Sequence, residues 1–391
     1  MNNRNPIYLD GFATLPLAPE ALDAILSVWE QAGNAASSNM AGERAARIVN
    51  NGRAEVAALI GAAPAEIIFT SGATEANNLA LLGVVQRAAA IERSRNRIIV
   101  TSVEHKAVLA PAQILEKRGF SVSVAPVDKD GRLDLPAFAA LLGEDVLLAS
   151  IMMANNETGI IQPISNVAAL VHSVGGLIHT DAAQAVGKIA INVLDLDVDY
   201  LSISAHKCYG PMGIGALFVA AHAPKPEPLL YGGGQQDALR PGTEPVALIA
   251  GFGAAAKVAE TRIEGDHQNA RLLINALLSG LASRGLRFRR ITGDAEVIPG
   301  SAALELRNVD ADQLCATVAR EVSLSTGSAC TSGQIKTSHV LEAIGFSDLD
   351  ARRVVRVFCN RYQNLAEMDA AAKHIVNAAD QSRLAAGEFR Q

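Results

Sequence analysis

Aromatic side chains are scarce in this sequence, at 4% of 391 residues, with a single tryptophan. A core must therefore be filled mainly by Ala, Val, Ile and Leu, within a hydrophobic fraction of 49% that is ordinary for a globular chain. Long apolar runs are missing, and no stretch approaches the ~18 consecutive apolar residues that a membrane-spanning helix requires. The first ten residues, Met1 to Asp10, are largely polar and lack the apolar segment of a secretory signal. Positive charge is not in excess either. The formal net charge of -6 argues against nucleic acid or an anionic membrane as a partner. Cysteine is sparse: Cys208, Cys315, Cys330 and Cys359 are too widely spaced for a Cys-x-x-Cys metal knuckle or a dense disulfide framework. These absences predict a cytoplasmic protein in a reducing compartment, where a lone cysteine is core filler or a working thiol.

What is present is an alternation of helical and strand patterns. Helices are predicted over Pro19–Gln31 and Gly42–Ile60, the second with Ala45, Ile48, Val49, Val56, Leu59 and Ile60 on one stripe. Short β-rich runs recur at Glu66–Thr70, Arg97–Thr101, Ser121–Val127, Val146–Met152, Leu177–Thr180, Tyr200–Ser204 and Gly215–Val219. Apolar strands separated by helical stretches predict an α/β domain whose mostly parallel sheet is covered on both faces. Beyond about Ala259 a long helical stretch leads to strands near Arg287–Ile291, Ser301–Arg307 and Val354–Phe358, which read as a smaller α+β domain. The expected division is a large domain over residues 15–258 and a small one formed by residues 1–14 and 259–391. The Pro- and Gly-rich segment Ala223–Gly242 reads as a long functional loop.

Three short motifs fall just beyond predicted strands, where ligands of open α/β sheets bind. Ser71-Gly72-Ala73-Thr74-Glu75 places small residues at a helix start, suited either to a phosphate or to ordinary capping. Asp181, in His179-Thr180-Asp181-Ala182-Ala183-Gln184, either caps the next helix or faces a pyridinium nitrogen, which would let such a ring act as an electron sink. Lys207 closes Ser204-Ala205-His206-Lys207 before the turn Gly210-Pro211-Met212-Gly213. It is either a solvated surface cation or a buried amine able to condense with an aldehyde. Taken together, the three supply a phosphate cradle, a pyridinium carboxylate and a Schiff-base lysine, the requirements of pyridoxal 5'-phosphate (PLP).

The run of motifs FTSGATEANNLAL (69–81), EHKAV (104–108), NNETG (155–159), HTDAAQAVGK (179–188), SAHKCYGPMGIGAL (204–217), GGGQQ…RPGTEP (232–245) and STGSACTSG (325–333) resembles the class V aminotransferase superfamily. Within it, the chain is similar to cysteine desulfurases of the nitrogen-fixation and iron–sulfur-assembly type, from Ile7 to about Tyr362. The resemblance implies the fold-type I architecture of PLP-dependent transferases and a homodimer. It implies that Lys207 holds the PLP aldehyde, that Asp181 faces the pyridine nitrogen and that Gln184 and Asn156 contact the ring hydroxyl or substrate. Ala73, Thr74, Ser204 and His206 would hold the phosphate, with Thr243 reaching in from a second subunit. His105 would stack on the ring and donate a proton, and Arg356, helped by Asn34, would bind the substrate carboxylate; Arg361 is the rival arginine.

Cys330 lies in a stretch of small residues, Ser325 to Gly333, that offers little to bury a thiol against, whereas Cys315 lies in an apolar run. An accessible thiol can ionise and attack sulfur. The resemblance makes Cys330 the residue that takes sulfur from L-cysteine, leaving alanine and a persulfide for an acceptor protein. Cys208 and Cys359 read as structural. A selenocysteine lyase or an aminotransferase on the same scaffold, and a non-catalytic docking scaffold, are the alternatives. The sequence departs from the family pattern at Gly11-Phe12, at Ala35 and Asn39, and at Val357-Phe358-Cys359-Asn360, all on segments expected at the substrate mouth.

Overall fold

A computed structural model describes residues 5–91, 94–327 and 337–382. Its centre is a seven-stranded sheet in the order β2-β8-β7-β6-β5-β3-β4. The strands are β2 (Ile67–Thr70), β3 (Arg97–Thr101), β4 (Ser121–Ala125), β5 (Val146–Ser150), β6 (Leu177–Asp181), β7 (Tyr200–Ser204) and β8 (Gly215–Val219). From β4 to β7 every pairing is parallel, and only β8 runs against its neighbours β7 and β2. Every residue of β5, β7 and β8 is buried, as strands covered on both faces are. The edge strand β4 has exposed positions, and it stops at Ala125 instead of Val127 because Pro126 cannot donate to the ladder.

The strand order reverses between β3 and β5, so a crevice opens where their carboxyl ends diverge. Two helices near the start of the chain, α1 (Pro19–Trp29) and α2 (Met40–Leu59), pack on a helix over Val246–Ser283. That helix was expected to begin near Ala259, but it starts at Val246 and runs through the expected division at residue 258. No proline interrupts it. Its first half (Ile249, Phe252, Ala255, Ala256, Ala259) joins the core of the large sheet, and Leu273, Ile274, Leu277 and Leu281 join a second core. The approach to α2 is close: a Cβ on Gly253 would stand 2.6 Å from the Gly52 Cα.

The second core covers a three-stranded antiparallel sheet of β9 (Phe288–Arg290), β10 (Ser301–Leu306) and β12 (Val354–Phe358). Beside it, β1 (Ile7–Tyr8) pairs in parallel with β11 (Val322–Ser323). An isolated bridge from Asp10 to Phe358 then carries the chain from β1 toward the large sheet.

Glu104 ties the carboxyl ends of β3 and β5 together. It is fully buried, and its Oε1 accepts hydrogen bonds from the Thr101 hydroxyl (2.7 Å) and the Met152 N–H (2.7 Å). Its main-chain oxygen accepts from His339 Nε2 at 2.9 Å. Burial pushes the carboxyl group up to about 8. The folded chain therefore holds one more proton than the unfolded chain from the ordinary value of 4.5 up to about 8. The stability this group contributes is complete below the unfolded value and is lost as pH rises through that window, by up to about 1.4 kcal/mol per pH unit. Replacing Glu104 by Gln keeps an acceptor without the charge and should flatten the fall of the urea midpoint between pH 5 and 8. An unchanged slope would mean that Glu104 is already ionised in the fold.

Candidate active site

A cavity of about 550 Å³ opens at the carboxyl edge of the sheet, with Phe12, Ala73, His105, Asp181, Lys207 and Arg356 among its lining residues. Lys207 ends the short turn that follows β7. Its Nζ donates to the main-chain oxygens of Phe12 and Ala13, the latter at 2.8 Å. Burial first, and then the nearby Arg356 guanidinium, push its pKa down to about 8, against the pull of Asp10 and Asp181. An amine so placed has a much larger uncharged fraction near neutrality than an exposed lysine and is a competent nucleophile toward a carbonyl.

Asp181 is the last residue of β6. Its Oδ1 accepts from the Ala183 N–H (2.9 Å) and its Oδ2 from the Asn77 amide (2.7 Å). Asn77 is fully buried, and its own Oδ1 has no hydrogen-bond partner. Sequence reasoning assigned Asn77 no role, because its partner is 104 residues away. Ser71 and Gly72 bridge β2 and α3 (Ala73–Asn78). Glu75 organises this turn: its Oε2 accepts from the Ser71 N–H at 2.7 Å, and its Oε1 accepts from Arg240 Nε at 2.9 Å. The cradle is thereby tied to the loop carrying Thr243. That loop holds Gln236, Asp237 and Ala238 at φ of 50°, 57° and 61°. Gln236 pins this left-handed stretch by accepting from Arg53 Nη1 (2.9 Å) and the Phe69 N–H (3.0 Å).

The pKa values of both histidines at the site are lowered. His105 caps the helix Lys106–Lys117, its Nδ1 accepting from the Ala107 N–H at 3.1 Å. Burial lowers its pKa, and with Nδ1 committed as acceptor the ring proton resides on Nε2. His206 pairs through Nδ1 with the Thr14 hydroxyl at 3.1 Å, and burial together with Lys207 and Lys188 pushes it down to about 4. Lys188, also unassigned by sequence reasoning, is buried and donates to the Gln184 main-chain oxygen (3.1 Å) and side-chain Oε1 (3.2 Å). Gln184 Nε2 in turn donates to the Phe12 main-chain oxygen at 2.9 Å, so Lys188 settles which way the Gln184 amide faces.

Arg356 reaches the cavity from β12. Its Nη1 donates to the Asn156 main-chain oxygen (2.7 Å), and its Nη2 donates to Asp10 Oδ1 (2.9 Å) and the Ser325 hydroxyl (2.7 Å). The rival Arg361 is buried, 2.7 Å from an Asp266 oxygen and stacked over the Tyr209 ring at 3.8 Å. The off-pattern residues at the mouth form a matched set. The Phe12 and Phe358 rings are 5.2 Å apart, and Gly11 is required beneath them because a Cβ there would lie 2.2 Å from Phe358. Asn39 caps α2, accepting from the Gly42 N–H at 2.9 Å.

Ser204, Asn156 and Thr74 also line the cavity. Two expected residues do not. Asn34 is exposed and its side chain accepts from the Ala36 N–H at 3.0 Å, a local turn that turns its oxygen back onto its own segment. Thr243 is exposed on its loop and is absent from the wall of its own subunit's cavity. Cys330 lies outside the described residues. The other cysteines are free thiols; burial pushes Cys208 up to about 11 and Cys315 and Cys359 up to about 12, so none of these three is a ready thiolate.

The residues present fit PLP. A carboxylate stands at one strand end, a depressed-pKa amine at the next, and the Ala73 and Thr74 amides open a helix whose first turn leaves N–H groups free for a phosphate. A model of the aminotransferase class V family matches residues 7–370. Cysteine desulfurase of Pongo abelii is 41% identical over 369 residues, covering 93% of this chain and 79% of that protein. Cysteine desulfurase IscS of Anaeromyxobacter sp. (strain Fw109-5) is 41% identical over 381 residues, covering 95% and 92%. Among solved structures, a NifS-like protein superposes with a TM-score of 0.88 at 33% identity, covering 96% of this chain and all 100% of the other. On the fold, the site and these similarities, the chain belongs to the class V aminotransferase family and, within it, to the cysteine desulfurases.

Proposed function

We propose that this chain is a PLP-dependent cysteine desulfurase that converts L-cysteine to L-alanine and carries the sulfur away as a persulfide on Cys330. The observation that carries this reading is the Lys207 amine, pushed down to about 8 and opening on the same cavity as Asp181 and Arg356. PLP, when bound, supplies an electron sink for charge developing on the substrate Cα. Lys207 would hold its aldehyde, Asp181 its pyridine nitrogen, and Ala73, Thr74, Ser204 and His206 its phosphate, with Gln184 and Asn156 beside the ring hydroxyl and His105 over the ring.

Arg356 orients the substrate by a bidentate pair with its carboxylate, which requires it to release or share Asp10 and Ser325. Lys207, freed from its carbonyl contacts as an uncharged amine, takes the Cα proton, and His105 Nε2 is the group that returns a proton. The Cys330 thiolate attacks the substrate sulfur: an S–S bond forms, the Cβ–S bond breaks, and the electron pair left on carbon is protonated to give alanine. A sulfur-acceptor protein then relieves Cys330 of its outer sulfur. The three described cysteines, all unpaired, support a reducing, cytoplasmic setting. No helix among the described residues is long and apolar enough to cross a membrane.

A homodimer is part of this reading. Thr243 is exposed away from its own cavity on a loop fastened by Gln236 and Arg240, which suits delivery of its hydroxyl to a neighbouring phosphate site. One two-fold operation would complete both sites. Sedimentation should give a dimer, and Thr243→Ala should weaken PLP retention. A monomer with full activity would overturn the assignment of Thr243.

The reaction is tested with Cys330→Ser, since a hydroxyl is barely ionised and a poor nucleophile toward sulfur. The variant should keep bound PLP and cysteine binding, while alanine and persulfide formation fall by roughly 10²-fold or more. Cys315→Ser and Cys359→Ser should change activity far less. Near-normal desulfuration by Cys330→Ser would move the function to a selenocysteine lyase or another β-elimination on the same cofactor.

A further inference from the structure

Glu157 has no part in the chemistry above, yet it is one of the few carboxylates that the fold buries, at 8% exposure. It sits in the turn beyond β5, next to Asn156, with its N–H donated to Asn155 Oδ1 at 2.8 Å. Its Oε2 accepts the Ser338 hydroxyl at 2.5 Å. The same oxygen is 2.3 Å from where a Cβ on Gly327 would stand, so the Gly327 main chain lies directly on the carboxyl group. Ser338 caps the helix His339–Ala343, accepting from the N–H groups of Val340 (3.1 Å) and Leu341 (3.3 Å). Its lone pairs are thus engaged by the backbone and its single proton is given to Glu157.

Gly327 and Ser338 flank the stretch 328–337, which contains Cys330. One carboxyl group therefore touches both ends of the segment that bears the sulfur-accepting thiol. We propose that Glu157 is a positioning residue that fastens the two ends of the Cys330-bearing segment to the β5 side of the active site. The inference rests on the reading of Cys330 as the sulfur acceptor and adds to it the element that sets where its segment starts and returns.

The surroundings suit a fastening role rather than direct chemistry. Arg356 from β12 and Lys106 from the helix Lys106–Lys117 are the charged groups that act on Glu157, and burial outweighs them, raising its pKa to about 7. The carboxyl group, protonated or not, retains an oxygen for Ser338. A glutamine should therefore replace it, whereas an alanine should not. The wall that Glu157 shares with Gly327, Ser338, His339 and Arg356 encloses about 620 Å³, and His105, Asn156 and Arg356 line both this space and the main cavity.

The test is single-turnover sulfur transfer in the PLP-loaded enzyme, with persulfide on Cys330 followed by alkylation and mass spectrometry, and cysteine binding followed by absorbance. Glu157→Ala should slow persulfide formation roughly 10- to 100-fold, as expected when a reacting group loses its positioning, with PLP content and cysteine affinity unchanged. Glu157→Gln should restore the rate to within about threefold. Ser338→Ala and Gly327→Ala, which remove the donor or displace the carboxyl group without touching its charge, should reproduce the slow transfer. They also carry the test if Glu157→Ala does not fold. Normal transfer rates in folded Glu157→Ala or Ser338→Ala would overturn the proposal alone. Absence of any persulfide on Cys330 in the unsubstituted enzyme would overturn it together with the desulfurase reading.

Discussion

Holding a half-buried lysine amine among charges of both signs, with main-chain oxygens as its hydrogen-bond partners among the described residues, is the constraint on which this site depends. Lys207 donates to Phe12 and Ala13, two residues of an irregular segment that reaches it from the other core. A carboxylate in contact would hold the ammonium and raise its pKa. Solvent would do the same by restoring hydration. Carbonyls satisfy its hydrogens without either effect, and burial with Arg356 nearby then lowers the pKa to about 8. The parallel sheet makes this possible, because its carboxyl edge delivers one polar residue per strand into a common crevice.

Around that amine the fold suppresses charge wherever the chemistry does not require it. Burial leaves His206 neutral and raises Glu104 and Glu157 toward protonation. His179, fully buried between the Ser150 and Ser202 hydroxyls at 2.8 and 2.9 Å, is pushed down to about 3. The charges in contact with the cavity are directional: the Asp181 carboxylate, aimed by Asn77 and Ala183, the Glu75 carboxylate, held by Ser71 and Arg240, and the Arg356 guanidinium, aimed by Asn156, Asp10 and Ser325. Low dielectric strengthens whatever charge is kept. A small number of fixed groups can thus orient a zwitterionic amino acid.

Much of this was readable from the chain because strands here are short, apolar and punctuated. Arg97–Thr101, Tyr200–Ser204, Gly215–Val219 and Val354–Phe358 have the bounds that their β-rich runs predict. Lys207, Asp181 and the turn after β2 stood out because each follows such a run. What was not readable depends on contacts distant in sequence. Asn77 meets Asp181 across 104 residues, Glu104 meets Met152 across 48 and Ser338 meets Glu157 across 181. Nothing local marks these three as different from ordinary helix or turn residues. Asn34 shows the converse, a residue singled out by motif whose side chain closes a local turn instead of facing the cavity. The start of the long helix at Val246 was missed, although Pro245 stands at its N-cap and the apolar residues Val246, Ile249 and Phe252 follow at helical spacing.

The central claim is that one particular amine, of two that lie close enough to act on each other, is the one made available to an aldehyde. Lys188 is the natural control: it is also buried with its pKa lowered, but its Nζ is spent on Gln184. Borohydride reduction of the PLP-saturated protein, followed by digestion and mass spectrometry, locates the cofactor directly. The account predicts PLP fixed on the peptide containing Lys207 and on no other. Attachment at Lys188, or a protein left unmodified, would contradict it.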